Sequence, residues 1–140
     1  MSALESLIRL HRWQIDERKR HLADLEALAA KLREERRRLV LEEEREQAAA
    51  SASPDAAYAY AGYAHGLIER RRKLLQSLAE IDGQVAKARE ALAEAFQEVK
   101  RYEITAATRL RQQQLREQKR QQRTLDELGV ETYRRRTNGR

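Results

Sequence analysis

The chain has 140 residues with no cysteine, one proline, one Phe and one Trp, and 37% of its residues are charged against 5% aromatic. That composition excludes disulfides and Cys-based zinc sites, and it offers too little bulky apolar material for a thick globular core, so it favours elongated helices that each bury one narrow stripe. Net charge is +6, yet residues 1–100 balance 18 Lys/Arg against 18 Asp/Glu, and the whole excess, 11 basic against 5 acidic, lies in residues 101–140.

The N-terminal MSALESLIRLHRW lacks the basic start and apolar middle of a signal peptide, and no stretch approaches the roughly 18 apolar residues of a membrane span. Export by that route is not expected, and the absence of cysteine is compatible with a reducing cytoplasm. From Leu4, steps of four and three give Leu4, Ile8, His11, Ile15, Arg18, Leu22, Leu25, Ala29, Leu32, Arg36, Leu39 and Glu43. Eight of these twelve are apolar, which predicts a coiled-coil seam with polar interruptions on a first helix over about residues 3–47. His11, Arg18 and Arg36 are expected to lay their stems on the seam and reach for water. With Ile8 and Ile15 at core positions, Trp13 falls on the outward side, as a binding anchor or as packing against a locally shifted seam.

The stretch SASPDAAYAYAGYAHG, residues 51–66, holds the proline and three of the five tyrosines. Ser53-Pro54-Asp55 reads as a helix start: a hydroxyl to cap an orphan N–H, proline at the first helical position, and an acid at the positive end of the dipole. The turn is therefore expected over about residues 48–53, with a second helix over about 54–128. The alternative is a longer loop with the helix starting after Gly66, since Gly62 and Gly66 each cost about 1 kcal/mol relative to Ala. Tyr58 and Tyr60 diverge by roughly 160° around a helix, so at least one tyrosine of the cluster should reach solvent.

The second seam runs Tyr60, Ala64, Leu67, Arg71, Leu74, Leu78, Ile81, Val85, Ala88, Leu92, Ala95, Val99, Tyr102 and Ala106, and it fails at Arg109 and Gln113. Phe96 flanks it as cover. A short connection makes the helices antiparallel neighbours, so the fold class is all-α, a two-helix coiled-coil hairpin forming one elongated domain over residues 1–140. Counting outward from a turn near residue 50, Leu4 comes level with about residue 100, beyond which the second helix should project unpaired. Helix lengths of roughly 65 Å and 110 Å follow from a rise of about 1.5 Å per residue. Gly129 suits a left-handed stop after LDEL, leaving residues 129–140 as a mobile basic tail.

No phosphate loop, nucleophile elbow or H-E-x-x-H motif is present, and His11, His21 and His65 have no ligand-like spacing, so neither an enzyme nor a metal or cofactor site is expected. The runs REERRR and ERRRK sit among balancing acids and read as solvated helix faces.

The phrases LIRLHRWQIDERKRHLADLE, LIERRRKLLQSLAEIDGQVAKAREALAEAFQEVKRYE and LDELGVETYRRR, set in this hairpin pattern with a basic projecting end, resemble the FliJ family of flagellar type III export across nearly the whole chain. The resemblance implies a cytoplasmic, non-enzymatic stalk at the flagellar base. Such a stalk sits in the hexameric export ATPase FliI, contacts the export gate FlhA, handles empty export chaperones, and meets the membrane only through that apparatus. For such a stalk, the open end with Trp13, Arg109, Leu110, Arg111, Leu115, Arg116, Lys119, Arg120 and Arg123 is the expected ATPase-binding end, its basic side chains meeting acidic loops. The turn end, with Tyr58, Tyr60, Tyr63 and Leu67, is the expected gate-binding patch. Tyr63 and Leu67 match the first pair of the family's aromatic, Leu, Ala, His pattern, whereas Arg70 and Leu74 depart from it, and the acidic LEEEREQ replaces tyrosines late in the first helix. Two rival readings are a generic coiled-coil scaffold and a basic nucleic-acid-binding helix. The latter is disfavoured by interspersed acids and a small charge excess.

Overall fold

The structure, a computed structural model, describes residues 2–139. It consists of two α-helices, α1 over Ala3–Ala50 and α2 over Pro54–Asn138, packed against one another as an all-helical hairpin without strands among the described residues. Helix α1 begins on a reciprocal capping box, in which Ser2 Oγ accepts the Glu5 N–H at 3.1 Å and the Glu5 carboxylate accepts the Ser2 N–H at 3.2 Å.

Ser53 caps α2, its Oγ accepting the Ala56 N–H at 3.1 Å and its carbonyl accepting the Ala57 N–H at 3.0 Å. Helix therefore begins at Pro54 and runs through Gly62 and Gly66, which excludes the longer-loop alternative. The turn is shorter than expected. Helix α1 continues through Ala48, Ala49 and Ala50, because alanine has the best helix propensity, and only residues 51–53 connect the helices.

The end of α2 also departs from the sequence reading. Gly129 has no positive φ, and helix continues to Asn138 where a basic tail was expected. Glycine permits a left-handed stop without demanding one. At an exposed site it costs the helix only about 1 kcal/mol, and Glu131 and Arg135 bridge the following turn at 2.9 Å. Arg135 and Arg136 in the last turn also complement the negative end of the dipole.

The fold divides into two compact units, Met1–Arg12 with Gln97–Arg140, and Trp13–Phe96. In the second of these, Leu25, Ala29, Ile81 and Val85 form a buried cluster against which Leu22, Leu32 and Ala88 pack. Ile15, Leu39, Leu67, Leu78 and Ala95 extend the same seam. Arg18, Arg36 and Arg71 stand at seam positions yet are exposed. The Arg18 guanidinium reaches over to donate to the Ala91 carbonyl at 2.9 Å, while Arg71 reaches Glu43 at 3.6 Å. Phe96 is half exposed with the Lys19 ammonium 5.3 Å over its ring. Arg33–Asp82 at 2.7 Å and Arg89–Glu26 at 3.0 Å flank the seam. Such exposed pairs contribute about 0–1 kcal/mol each, so apolar burial carries the stability.

In the unit of residues 1–12 and 97–140, Ile8 and Val99 are buried, and the His11 ring stacks on Tyr102 with centroids 5.0 Å apart. Arg12 meets Glu103 at 2.8 Å. Ala106 is the last half-buried residue, and every described residue from 107 onward is exposed. Cover thus ends about six residues later than a turn at residue 50 implies.

Candidate docking surfaces

The exposed segment of α2 beyond Ala106 carries Arg109, Leu110, Arg111, Leu115, Arg116, Lys119, Arg120 and Arg123, and the structure leaves all of them open to solvent. Its helix preserves the spacing of the apolar seam while changing the chemistry. From Ala106 the steps of three and four continue through Arg109, Gln113, Arg116, Arg120, Arg123, Glu127, Val130 and Arg134. Five of these eight positions are arginine, so the stripe that zips an apolar partner elsewhere presents cations here. Arg120 is held by Glu117 at 2.6 Å, whereas Arg109, Arg116, Arg123 and Arg134 form no ion pair among the described residues. Away from that stripe the helix carries Leu110, Gln114, Gln118, Gln121, Leu125 and Leu128 together with the charged Arg111 and Arg136. The segment can therefore grip acidic groups along the stripe and offers apolar and neutral groups, interspersed with further cations, around the rest of the helix. The continuation of the register into arginine was available in the sequence and is visible once the spacing is carried past Gln113.

Trp13 lies in the other unit, Trp13–Phe96, and is 60% exposed. Its neighbours Ile8 and Ile15 are buried, so the outward placement follows from an unshifted seam, which removes the packing alternative.

At the start of α2 the tyrosines behave differently from one another. Tyr58 is 87% exposed, whereas Tyr60 and Tyr63 are half-buried. The Tyr63 hydroxyl donates to the Glu42 carboxylate, which also faces Arg70 at 3.4 Å. That hydroxyl, followed by Arg70, holds the Glu42 carboxyl below the usual carboxylate range, and the same hydrogen bond raises the Tyr63 phenol above its ordinary value. Leu67 is only 4% exposed. It belongs to the seam and positions the turn of helix that carries Tyr63, so of the four aromatic and apolar residues expected to form a surface, Tyr58 is the one fully presented. The network around Glu42 is not legible in the sequence, because it depends on which residues of α1 face Tyr63 and Arg70 of α2.

Among the described residues no group of His, Cys, Asp or Glu could hold a metal ion, and no helix is long and apolar enough to cross a membrane. No curated protein and no solved structure matches the chain. The sequence model of the family described as Flagellar FliJ protein matches residues 1–138, nearly the whole chain and both helices. The paired seams, the arginine-striped extension and this match lead to one assignment: the chain belongs to the FliJ family, a non-catalytic component of flagellar protein export.

Proposed function

We propose that the chain is a coupling stalk of the flagellar export apparatus at the cytoplasmic face of the flagellar base, with residues 107–138 of α2 bound by the hexameric export ATPase FliI. The observation that carries this reading is a fully exposed helix with arginine at five of its eight seam positions. An α-helix without a packing partner is marginal in water, and a segment that leaves Leu110, Leu115, Leu125 and Leu128 uncovered is suited to a neighbour that encloses it. A ring offering carboxylates on its inner loops would complement the stripe through Arg109, Arg116, Arg120 and Arg123. Leu110, Arg111, Leu115 and Lys119 would add contacts around the rest of the helix, and Trp13 would supply a separate aromatic anchor.

The start of α2 is the second contact, with the export gate FlhA. Tyr58 offers the exposed aromatic, Tyr60 and Tyr63 its half-buried shoulder, and Leu67 holds that turn in place. Empty export chaperones are the remaining class of partner.

The test is stimulation of FliI hydrolysis by the full chain, compared with the triple substitution Arg116→Glu, Arg120→Glu, Arg123→Glu. The reading expects co-purification and stimulated hydrolysis with the parent chain and at least a tenfold loss of affinity with the variant. No association of the parent with FliI, or equal stimulation by both chains, would overturn it. Steeply salt-dependent binding to DNA in place of FliI would favour the nucleic-acid reading.

A further inference from the structure

One side of the unit Trp13–Phe96 carries a groove along the edge of the seam, where Leu78 and Arg36 border it. Val40, Leu41, Leu75 and Ala79 form its apolar floor, Arg33, Arg36 and Arg37 stand along the α1 edge, and it encloses about 620 Å³. A second groove of about 450 Å³ continues it, sharing Arg33 and Asp82 and running on to Glu26 and Arg89. Together they cover residues 26–41 of α1 and 75–89 of α2. At about 1.5 Å per residue this is roughly 22 Å, or four turns of a helix laid alongside.

The floor is not scattered surface. Val40, Leu41 and Leu75 are each about two-fifths exposed and line one cavity, and Ile68, seven residues before Leu75 on the same face of α2, prolongs the stripe. The charges divide the groove in two. Toward Glu26 and Arg89 it is balanced, because Arg33 bonds Asp82 at 2.7 Å and Arg89 bonds Glu26 at 3.0 Å. Over the apolar floor it is positive, since Arg37 is answered only by Glu34 on its own helix, and Arg36 has no ion pair among the described residues.

That charge selects the occupant. The exposed segment of α2 belongs to residues 101–140, where basic residues outnumber acids by 11 to 5, so like charge opposes its docking here. A second copy docked through the same patch would bring two equally basic patches into one interface, because a two-fold interface uses the same surface on both sides. The geometry points to a docking groove for an acidic amphipathic helix of a partner protein, its apolar stripe on Val40, Leu41 and Leu75 and its carboxylates on Arg36 and Arg37. Helix-in-groove recognition of this kind reads anchors at helical spacing, with flanking charge setting orientation. The inference is independent of ATPase binding, because it uses none of residues 107–138.

The test is fluorescence anisotropy with the full chain and three labelled helical peptides of about four turns. One carries Leu at helical spacing flanked by Glu, one replaces Glu by Lys, and one scrambles the Glu peptide so that the stripe is lost. The Glu peptide should bind at least tenfold more tightly than either control, and Leu75→Glu and Arg36→Glu should each weaken it at least fivefold. Both sites are exposed, and an unchanged circular dichroism melt shows that the hairpin persists. The parent chain should sediment as a monomer. Three results would overturn the proposal: equal binding of the Glu and Lys peptides, loss of binding on reversal of Arg116 and Arg120 with none on Leu75→Glu, or a parent dimer that Leu75→Glu dissociates.

Discussion

The guanidinium of Arg12 lies 2.8 Å from the carboxylate of Glu103, and three residues further along α2 the cover of the second seam ends at Ala106. Beside this pair the His11 ring stacks on Tyr102, with the Glu98 carboxylate 4.0 Å from His11 Nε2. Past it, the ion pairs of α2 are local ones at i,i+3 or i,i+4 among the described residues. The pair thus marks where contacts between helices give way to contacts within one.

Reversing one member, as in Arg12→Glu, should lower stability by no more than about 1 kcal/mol, since both side chains are exposed. Its larger effect should be local. Hydrogen exchange at residues 98–106 should accelerate in Arg12→Glu and recover when Glu103→Arg is added, while exchange near Ile81 stays unchanged.

Ile81 belongs to the buried cluster with Leu25, Ala29 and Val85, where Ala29 is 2% exposed. Ile81→Ala should cost about 2–4 kcal/mol by removing buried methyls and leaving space behind. Ala29→Leu should cost about 1–3 kcal/mol by the opposite route, because a larger side chain at so buried a site must displace its neighbours. Denaturant melts of the two variants check both directions, and a neutral result for either would mean that the seam is packed differently.

The Tyr63–Glu42 bond predicts a pH response at both extremes. Glu42 has a depressed folded pKa, so its contribution is present above the unfolded carboxylate value and is lost as pH falls through the lower folded one. Tyr63 has a raised folded pKa, so its contribution is present below the unfolded phenol value and is lost as pH rises through the higher folded one. In Tyr63→Phe the Glu42 carboxyl should titrate closer to its ordinary range, held down only by Arg70. An NMR titration of Glu42 checks this shift, and an unchanged midpoint would rule out the hydrogen bond as its main cause.

Gly129 has helical backbone and nothing within 4 Å of the position a Cβ would take. Gly129→Ala should therefore stabilise helix locally by about 0.5–1 kcal/mol. Helical content should rise by circular dichroism without moving the hairpin melt. A loss of helicity would show that the chain leaves the helix there.

The seam was legible because apolar side chains at alternating steps of three and four leave one solution, and Leu25, Ile81, Val85 and Val99 are buried where that spacing places them. The cap at Ser53 was legible for a similar reason, since serine, proline and aspartate each perform one local task there. What depended on context was harder to read. Gly129 looks like a stop until the helix formers around it are weighed, and Ala48–Ala49–Ala50 looks like turn until alanine's own preference is applied. Leu67 illustrates a conflict within the reading: its place in the seam series predicted burial, while its match to the family pattern suggested a surface, and burial holds. The groove between Val40 and Leu75 was beyond reach, because it depends on which residues of α1 face which residues of α2.

The proposed stalk role requires that the export ATPase enclose the exposed segment of α2. Hydrogen exchange of the full chain, measured with and without the FliI hexamer, tests this directly. Residues 107–138 should exchange rapidly alone and gain strong protection in the complex, with the cluster around Ile81 unaltered. Unchanged exchange across 107–138 in a complex that protects other residues would contradict the account.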